Sequence, residues 1–480
     1  MRFIARQLRR FRFVAGLAAF TCLLGAWPAA VSRDSQLPPP EPPPVATAKT
    51  DFLSAERREE LRVLDANGGI YQDAQLQGLV SDIVERLAAS SDRPDLRYHV
   101  IILNSPAVNA FSVPSGRLYV TRGLIALAND ASELAAVLSH EIGHVIARHD
   151  LLKAPSGRGE DIGARAFAVP NFALAGFSRA QEVEADNIGA RISARAGYDP
   201  HGAVRILGAL SRNAQLRSAG GEEVPSTHPA TADRLSMAQT NARRYAVPSV
   251  AERDAAVMLA NVDGLLYGDD PNDGVVRGRQ FLHAGLGFAF ATPPGYSLTR
   301  SGDALVGLRA GGGEMLLLEP VPIPREQNLA DYLASGWMHN VDPTSIVQAS
   351  VNGVPAATAA AEGSQWSFRV LVVRLDKRAV RLIFAAKPGT RDIDRAFRDL
   401  AETLRPMTAA EIAAAKPLRL RVVTVQPGET PAKLARRMAA VDRPLERFLV
   451  LNGLTAGQTL KVGDKVKLIT NDGHLRPPAK

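Results

Sequence analysis

"LSHEIGHVIARH", Leu138 to His149, sets two histidines and a glutamate inside an apolar run. On a helix, residues four apart share a face about 6 Å along the axis, so His140 and His144 point the same way. Imidazole nitrogens so placed reach one Zn²⁺ at about 2.0–2.1 Å, while Glu141, turned by about 100°, lies beside the ion. That offset suits a general base acting on a metal-activated water, whose pKa falls towards about 7. His149 falls roughly 180° around the same helix from His140, which makes it solvent-facing or at most a residue behind the ligands. The flanking Leu134, Val137, Leu138, Ile142, Val145 and Ile146 are apolar. Burying two imidazoles and a carboxylate among them costs several kcal/mol, roughly, unless something such as a metal compensates.

A catalytic zinc takes three protein ligands and keeps one position open. The third must come from another element, and Ser178 to Pro200, "SRAQEVEADNIGARISARAGYDP", is the candidate stretch. Glu182 and Asp186 are four apart and share a helix face, with Glu184 turned about 200° from Glu182. Glu182 is therefore assigned to the zinc, and Asp186, one turn on, accepts the second N–H of a ligand histidine. The competing reading of this stretch is an acidic, solvated helix face.

Outward from these motifs, the chain of 480 residues is 46% hydrophobic and 22% charged, room for about two to four domains with real cores. The net charge of +8 is modest for this length and does not point to a general nucleic-acid binder. Residues 1–32 run from Arg2, Arg6, Arg9, Arg10 and Arg12 through an apolar stretch, Val14 to Ala26, to small residues ending at Ser32. That order predicts a secretory signal peptide, with an uncleaved membrane anchor as the alternative. The single cysteine, Cys22, lies in this leader, so a cleaved product has no thiol and no disulfide framework. "PPPEPPP" at Pro38 to Pro44 places a stiff linker over 33–50. Helical periodicity over Leu76 to Leu87, short strands at Tyr98–Leu103 and Arg117–Thr121, and helices after Glu133, Arg179, His201 and Thr231 describe a helix-dominated region over 51–262. An acidic Gly/Pro loop, Tyr267 to Gly274, falls in a linker over 263–278. Strand patterns, including Trp366–Leu375 and Ala379–Ala386, and a closing helix, Ile393–Leu404, then fill 279–406. His283 and His339 are isolated there and read as surface or packed histidines.

Four motifs together resemble one family. HEIGH at His140–His144, SRAQEVEAD at Ser178–Asp186, "NAFSVPSGRLYVTRGL" at Asn109–Leu124 and "STHPATADR" at Ser226–Arg234 look like the zinc metallopeptidase family that contains HtpX, BepA and the CAAX prenyl endopeptidases. The resemblance covers roughly Asp51 to Val262 and implies His140, His144 and Glu182 as ligands of one Zn²⁺ per chain, Glu141 as base and Asp186 as support. It further implies catalytic roles for His228 and Arg234. A neutral His228 could displace the zinc water and hold the enzyme latent, or a protonated one could stabilise an oxyanion. The alternative is that "THP" is a turn before a helix. The strand GRLYVT resembles the family's substrate-binding edge, giving Asn109, Gly116, Leu118 and Val120 as residues along which an extended peptide would lie. Membrane-embedded relatives carry hydrophobic spans around this helix, whereas His149 to Gln181, 33 residues, include "SGRGED", so an exported, soluble form is expected.

Val423 to Ile469 reads strand, helix, helix, strand and resembles a LysM glycan-binding module over 419–470, ahead of a tail over 471–480. It departs from that pattern at Val423 and Pro431. Arg419 to Lys480 holds twelve Lys or Arg against five Asp or Glu, a net +7. Such charge draws a module weakly to anionic wall polymer or membrane surface, or merely keeps a protein-docking unit soluble.

The expected fold class is therefore α+β, comprising a zinc metalloprotease domain, a central β-rich α+β domain of unknown role and a small βααβ LysM-like domain. The expected function is an exported zinc endopeptidase of the bacterial periplasm or envelope, acting on misfolded or unassembled proteins. Peptidoglycan and peripheral membrane are further candidate partners, and nucleic acid is not one. The alternatives are a non-enzymatic assembly factor, chaperone or cell-wall tether with a latent zinc site, and, further off, a peptidoglycan hydrolase.

Overall fold

Asp73, Asp130 and Ser178 each accept a hydrogen bond from a backbone N–H in the first turn of the helix that follows, which satisfies donors a helix end leaves orphaned. They start helices α2 (Ala74–Ala89), α4 (Ala131–Ile146) and α5 (Arg179–Arg195). These lie in a computed structural model that describes residues 54–113, 115–149, 177–218, 228–245, 254–338, 340–375, 378–390, 392–439 and 442–471. The expected leader, the proline-rich linker and His339 lie outside the described residues. Among the described residues no helix is long and apolar enough to cross a membrane.

Helix α1 (Ala55–Ala66) and α2 lead into a three-stranded sheet of β1 (His99–Leu103), β2 (Ala110–Ser112) and β3 (Arg117–Thr121). Its spatial order is β1, β3, β2. β1 pairs with β3 in parallel, His99 opposite Arg117, and β2 pairs with β3 antiparallel, Ala110 opposite Val120. The short helix α3 (Arg122–Leu127) joins this sheet to α4. Helix α4 is buried around most of its circumference, as a central core helix must be, and packs against α2, α5 and α6 (His201–Ser218). α7 (Ala232–Tyr245) lies against α5 and α6, and α8 (Ala255–Val262) leads to the short strand β4 (Leu266–Tyr267).

Two close approaches explain how the α4–α5 pair forms. A Cβ on Gly143 would sit 2.8 Å from the Ala185 carbonyl oxygen, and one on Gly189 would sit 2.9 Å from the His140 nitrogen. Only glycine lets these backbones cross so tightly.

The next region is built on a seven-stranded antiparallel sheet. Its strands in spatial order are β11 (Val347–Val351), β12 (Val354–Glu362), β13 (Ser367–Arg374), β14 (Ala379–Ala386), β10 (Glu314–Val321), β9 (Ala304–Arg309) and β8 (Tyr296–Ser301). Strands β5 (Val275–Arg277), β6 (Gln280–His283), β7 (Phe288–Ala291) and β15 (Arg405–Pro406) form a second sheet. Phe281, Phe288 and Phe290 from it join Phe397 and Leu400 of α10 (Ile393–Ala401) over one face of the large sheet. Helix α9 (Leu329–Ala334) covers the other face through Leu329 and Leu333. His283 is buried beside Phe288, and burial pushes its pKa down to about 4.

After α11 (Ala409–Ala414) the chain forms β16 (Leu418–Thr424), α12 (Pro431–Ala435), α13 (Pro444–Leu451) and β17 (Lys465–Thr470). β16 and β17 pair antiparallel, Arg419 opposite Thr470, and β4 extends their sheet on the far side of β16. Leu420, Leu434, Phe448 and Ile469 share one core with Leu124, Leu134, Met258 and Val262. The C-terminal unit is thus built into the helical region rather than hung from a linker.

Candidate active site

Residues four apart on α4 converge as helix geometry requires: the Nε2 atoms of His140 and His144 lie 3.0 Å apart. From α5, Glu182 brings Oε2 to 3.5 Å from His140 Nε2 and Oε1 to 3.5 Å from His144 Nε2. His228, at the start of the segment leading to α7, places Nδ1 3.3 Å from His140 Nε2 and 2.7 Å from Glu182 Oε1. These four ligand-type atoms all lie within 4.8 Å of one another. A tetrahedral site with bonds of about 2.0–2.1 Å has donor atoms about 3.3 Å apart, so the spacing fits an ion. Glu182 Oε2 is buried and faces the Arg234 guanidinium at 2.8 Å, so the carboxylate is held charged beside the imidazoles.

The atoms behind the ligands are equally well defined. His140 Nδ1 lies 2.8 Å from Asp186 Oδ1, the placement expected for a carboxylate that accepts a ligand's second N–H. Arg234 holds Asp186 in a two-pronged grip, Nε to Oδ2 and one terminal nitrogen to Oδ1, both 2.8 Å, and donates to the His228 and Pro229 carbonyls. It therefore works on the ligands' supports. Burial raises the Asp186 pKa, but Arg234 and His140 outweigh it and bring the group down to about 2. Burial likewise opposes ionisation of Glu182, yet His144 and His228 hold it well below the ordinary carboxylate range. His144 is pushed down to about 3, chiefly by burial, so it is neutral and ready to donate a lone pair. For His228 burial is overcome by Glu141 and Glu182, and its pKa is raised.

Glu141 points past the cluster. Its Oε2 accepts from Ser112 Oγ at 3.2 Å, and its Oε1 lies 3.5 Å from His228 Nε2. A cleft opens beside Glu141, His140 and His228, with an apolar wall of Val108, Leu124, Val137, Ile206, Leu207 and Leu210.

The substrate strand expected from the sequence is corrected. β3 is the middle strand, so Gly116, Leu118 and Val120 are not on an edge. The edge is β2. Asn109, just before it, accepts from the Thr121 N–H and Val113, just after it, donates to the Arg117 carbonyl. By alternation, the main-chain groups of Ala110 and Ser112 face the other side, where no strand among the described residues pairs. Reading along the chain gave a strand but not its neighbours: the parallel β1–β3 pairing is what puts β3 in the middle.

His149 is also displaced from its expected position. α4 ends at Ile146 and Arg148 takes a left-handed φ of 55°, which folds His149 back behind His144. Residues 150–176 are outside the described set, and the chain resumes with Phe177, whose ring stacks on His144 at 3.9 Å between centroids. Ser112 and Phe177 are site residues the sequence reading missed, while His149, read there as solvent-facing or at most behind the ligands, lies behind His144. Ser112 alone had a signal, since it sits in the NAFS stretch already singled out.

Residues 74–242 match peptidase family M48. The chain carries an M48 metallopeptidase domain. The chain is similar to mitochondrial metalloendopeptidase OMA1 of Arabidopsis thaliana, 31% identical over 194 residues, 37% of this chain and 38% of that protein. OMA1 of Schizosaccharomyces pombe is 31% identical over 169 residues, 32% of this chain and 50% of that one. The beta-barrel assembly-enhancing protease of Escherichia coli strain K12 is 26% identical over 284 residues, 53% of this chain and 56% of that one. The chain thus spans between 38% and 56% of the length of these relatives.

Proposed function

We propose that the protein is an exported zinc endopeptidase of the bacterial envelope that hydrolyses misfolded or unassembled proteins. The observation that carries this reading is the tetrad of His140, His144, Glu182 and His228 around one point, with Glu141 beside it. His140, His144 and Glu182 would hold the metal, which when bound supplies Lewis-acid polarisation and lowers the pKa of water. Glu141 takes the proton of the attacking water and passes it to the leaving amine. Ser112 Oγ orients that carboxylate. An extended peptide adds to the open side of β2 through the main chain of Ala110 and Ser112, so selection falls on unfolded backbone rather than on a side-chain code. The apolar wall of the cleft then favours a hydrophobic side chain next to the scissile bond. Relatives named for β-barrel assembly support an envelope setting, as does the leader-like N-terminus. The C-terminal βααβ unit, LysM-like with a net +7 from Arg419 on, would hold the enzyme near anionic wall polymer.

A second reading has its own observation. His228 Nδ1 sits among the ligand atoms, where it would occupy the position water needs, and an assembly factor with a permanently latent site would look the same. Casein cleavage separates the two. The peptidase reading expects activity in wild type or in His228→Ala, and none in Glu141→Gln with metal retained. Equal inactivity of all three, each with zinc bound, supports the latent tether. Release of soluble muropeptides from wall sacculi would instead replace protein by peptidoglycan as substrate.

A further inference from the structure

His144 Nε2 faces the other ligand atoms, so its Nδ1 faces away from them and carries the proton when the ring is a neutral ligand. That nitrogen lies 2.9 Å from His149 Nδ1. Two imidazole nitrogens at that distance need one donor and one acceptor; with His144 donating, His149 must accept at Nδ1 and keep its own proton on Nε2. His149 Nε2 in turn lies 3.1 Å from Glu184 Oε2, which accepts it. His149 is 2% exposed, whereas the Glu184 side chain is 60% exposed. The relay thus runs from the ligand through a buried ring to a carboxylate at the surface, the one acid of the SRAQEVEAD stretch that faces away from the metal.

We infer that His149, oriented by Glu184, is a positioning residue that fixes the tautomer and ring angle of His144. This rests on the proposed metal site. It gives the two ligand histidines different supports: His140 leans on the Asp186–Arg234 pair, and His144 on a second histidine. The backbone is shaped for this. An unbroken α4 would carry His149 well away from His144, and the left-handed turn at Arg148 brings it back. The face of His144 is meanwhile fixed by Phe177, whose ring lies 20° from parallel with it, so stacking and the relay together leave the imidazole one orientation.

The test is zinc affinity by chelator competition on the full chain. His149→Phe keeps a ring of similar shape and removes the acceptor, and zinc binding weakens about 10- to 100-fold. His149→Asn places an amide oxygen near the position of Nδ1 and restores affinity to within about threefold, while the melting temperature of the metal-free protein stays that of wild type in both. In the zinc-loaded wild type, nitrogen-15 NMR of the imidazoles finds the proton on Nδ1 of His144 and on Nε2 of His149. Affinity in His149→Phe within about threefold of wild type, or a proton on His149 Nδ1, overturns the inference. If His149→Phe does not fold, the NMR assignment decides alone. Failure of wild type itself to bind zinc would instead sink the metal reading, a separate outcome.

Discussion

Arg234 is the cation on which two buried carboxylates depend: it grips Asp186 with two nitrogens and stands 2.8 Å from Glu182. Removing one partner from such a group leaves uncompensated charge in a poorly solvated place, typically about 3–5 kcal/mol. Arg234→Met should therefore lower the stability of the metal-free protein by about that much in urea unfolding, and zinc should recover part of the loss. A change below about 1 kcal/mol would show that Arg234 is not the site's counter-ion. At this scale the convergence of His140, His144 and Glu182 was legible because HExxH and the Glu182/Asp186 spacing need only helix periodicity to be read. The contact of His149 with His144 was not, because the same periodicity, carried past Ile146, turns the ring away. A single left-handed residue, an arginine with no signal for that conformation, reverses the answer.

Among elements, the crossing of α4 and α5 sets the distance between ligand carboxylate and ligand imidazoles. A methyl group on Gly189 meets the backbone of Ser139 and His140 at 2.9–3.1 Å, and backbone cannot step aside as a side chain can. Gly189→Ala should cost about 1–3 kcal/mol and weaken zinc binding with it. Gly78, on the exposed face of α2 with nothing near its Cβ, is the control: Gly78→Ala should stabilise by about 0.4–1 kcal/mol and leave zinc affinity alone. Equal effects of the two substitutions would remove the helix crossing from the account. The helix expected after Arg179 runs from there as α5, and the structure shows Ser178 capping it together with Gln181. β3 matched its expected span, Arg117–Thr121, yet its place in the sheet did not follow, since strand order depends on pairings between distant segments. The helix closing the β-rich region began at Ile393 as its pattern suggested.

For the molecule as a whole, the C-terminal unit and the M48 domain are joined by a buried lysine. Lys467, from β17, donates to the carbonyls of Ala126, Leu127 and Ala128, where α3 ends just before α4. The sequence showed the strand, "KVGDKVKL", but read its lysines as surface charge, because nothing local says that one of them enters another domain's core. Burial pushes the Lys467 pKa down to about 7 against the pull of Glu133 and Asp130. An unfolded lysine titrates near 10.4, so between these values the unfolded chain binds more protons, and stability rises with pH. Wild-type unfolding free energy should climb from about pH 7 to pH 9.5, by up to about 1.4 kcal/mol per unit, and Lys467→Met should lack the climb. The same slope in both proteins would mean that the lysine is not held as described.

The claim beneath all of this is that His140, His144 and Glu182 hold a single ion whose fourth position His228 takes at rest. Zinc K-edge X-ray absorption on the zinc-loaded protein tests it most directly. The account predicts a four-coordinate first shell of nitrogen and oxygen at about 2.0–2.1 Å, with three imidazoles in wild type and two in His228→Ala. A six-coordinate shell, or an imidazole number unchanged by that substitution, would contradict it.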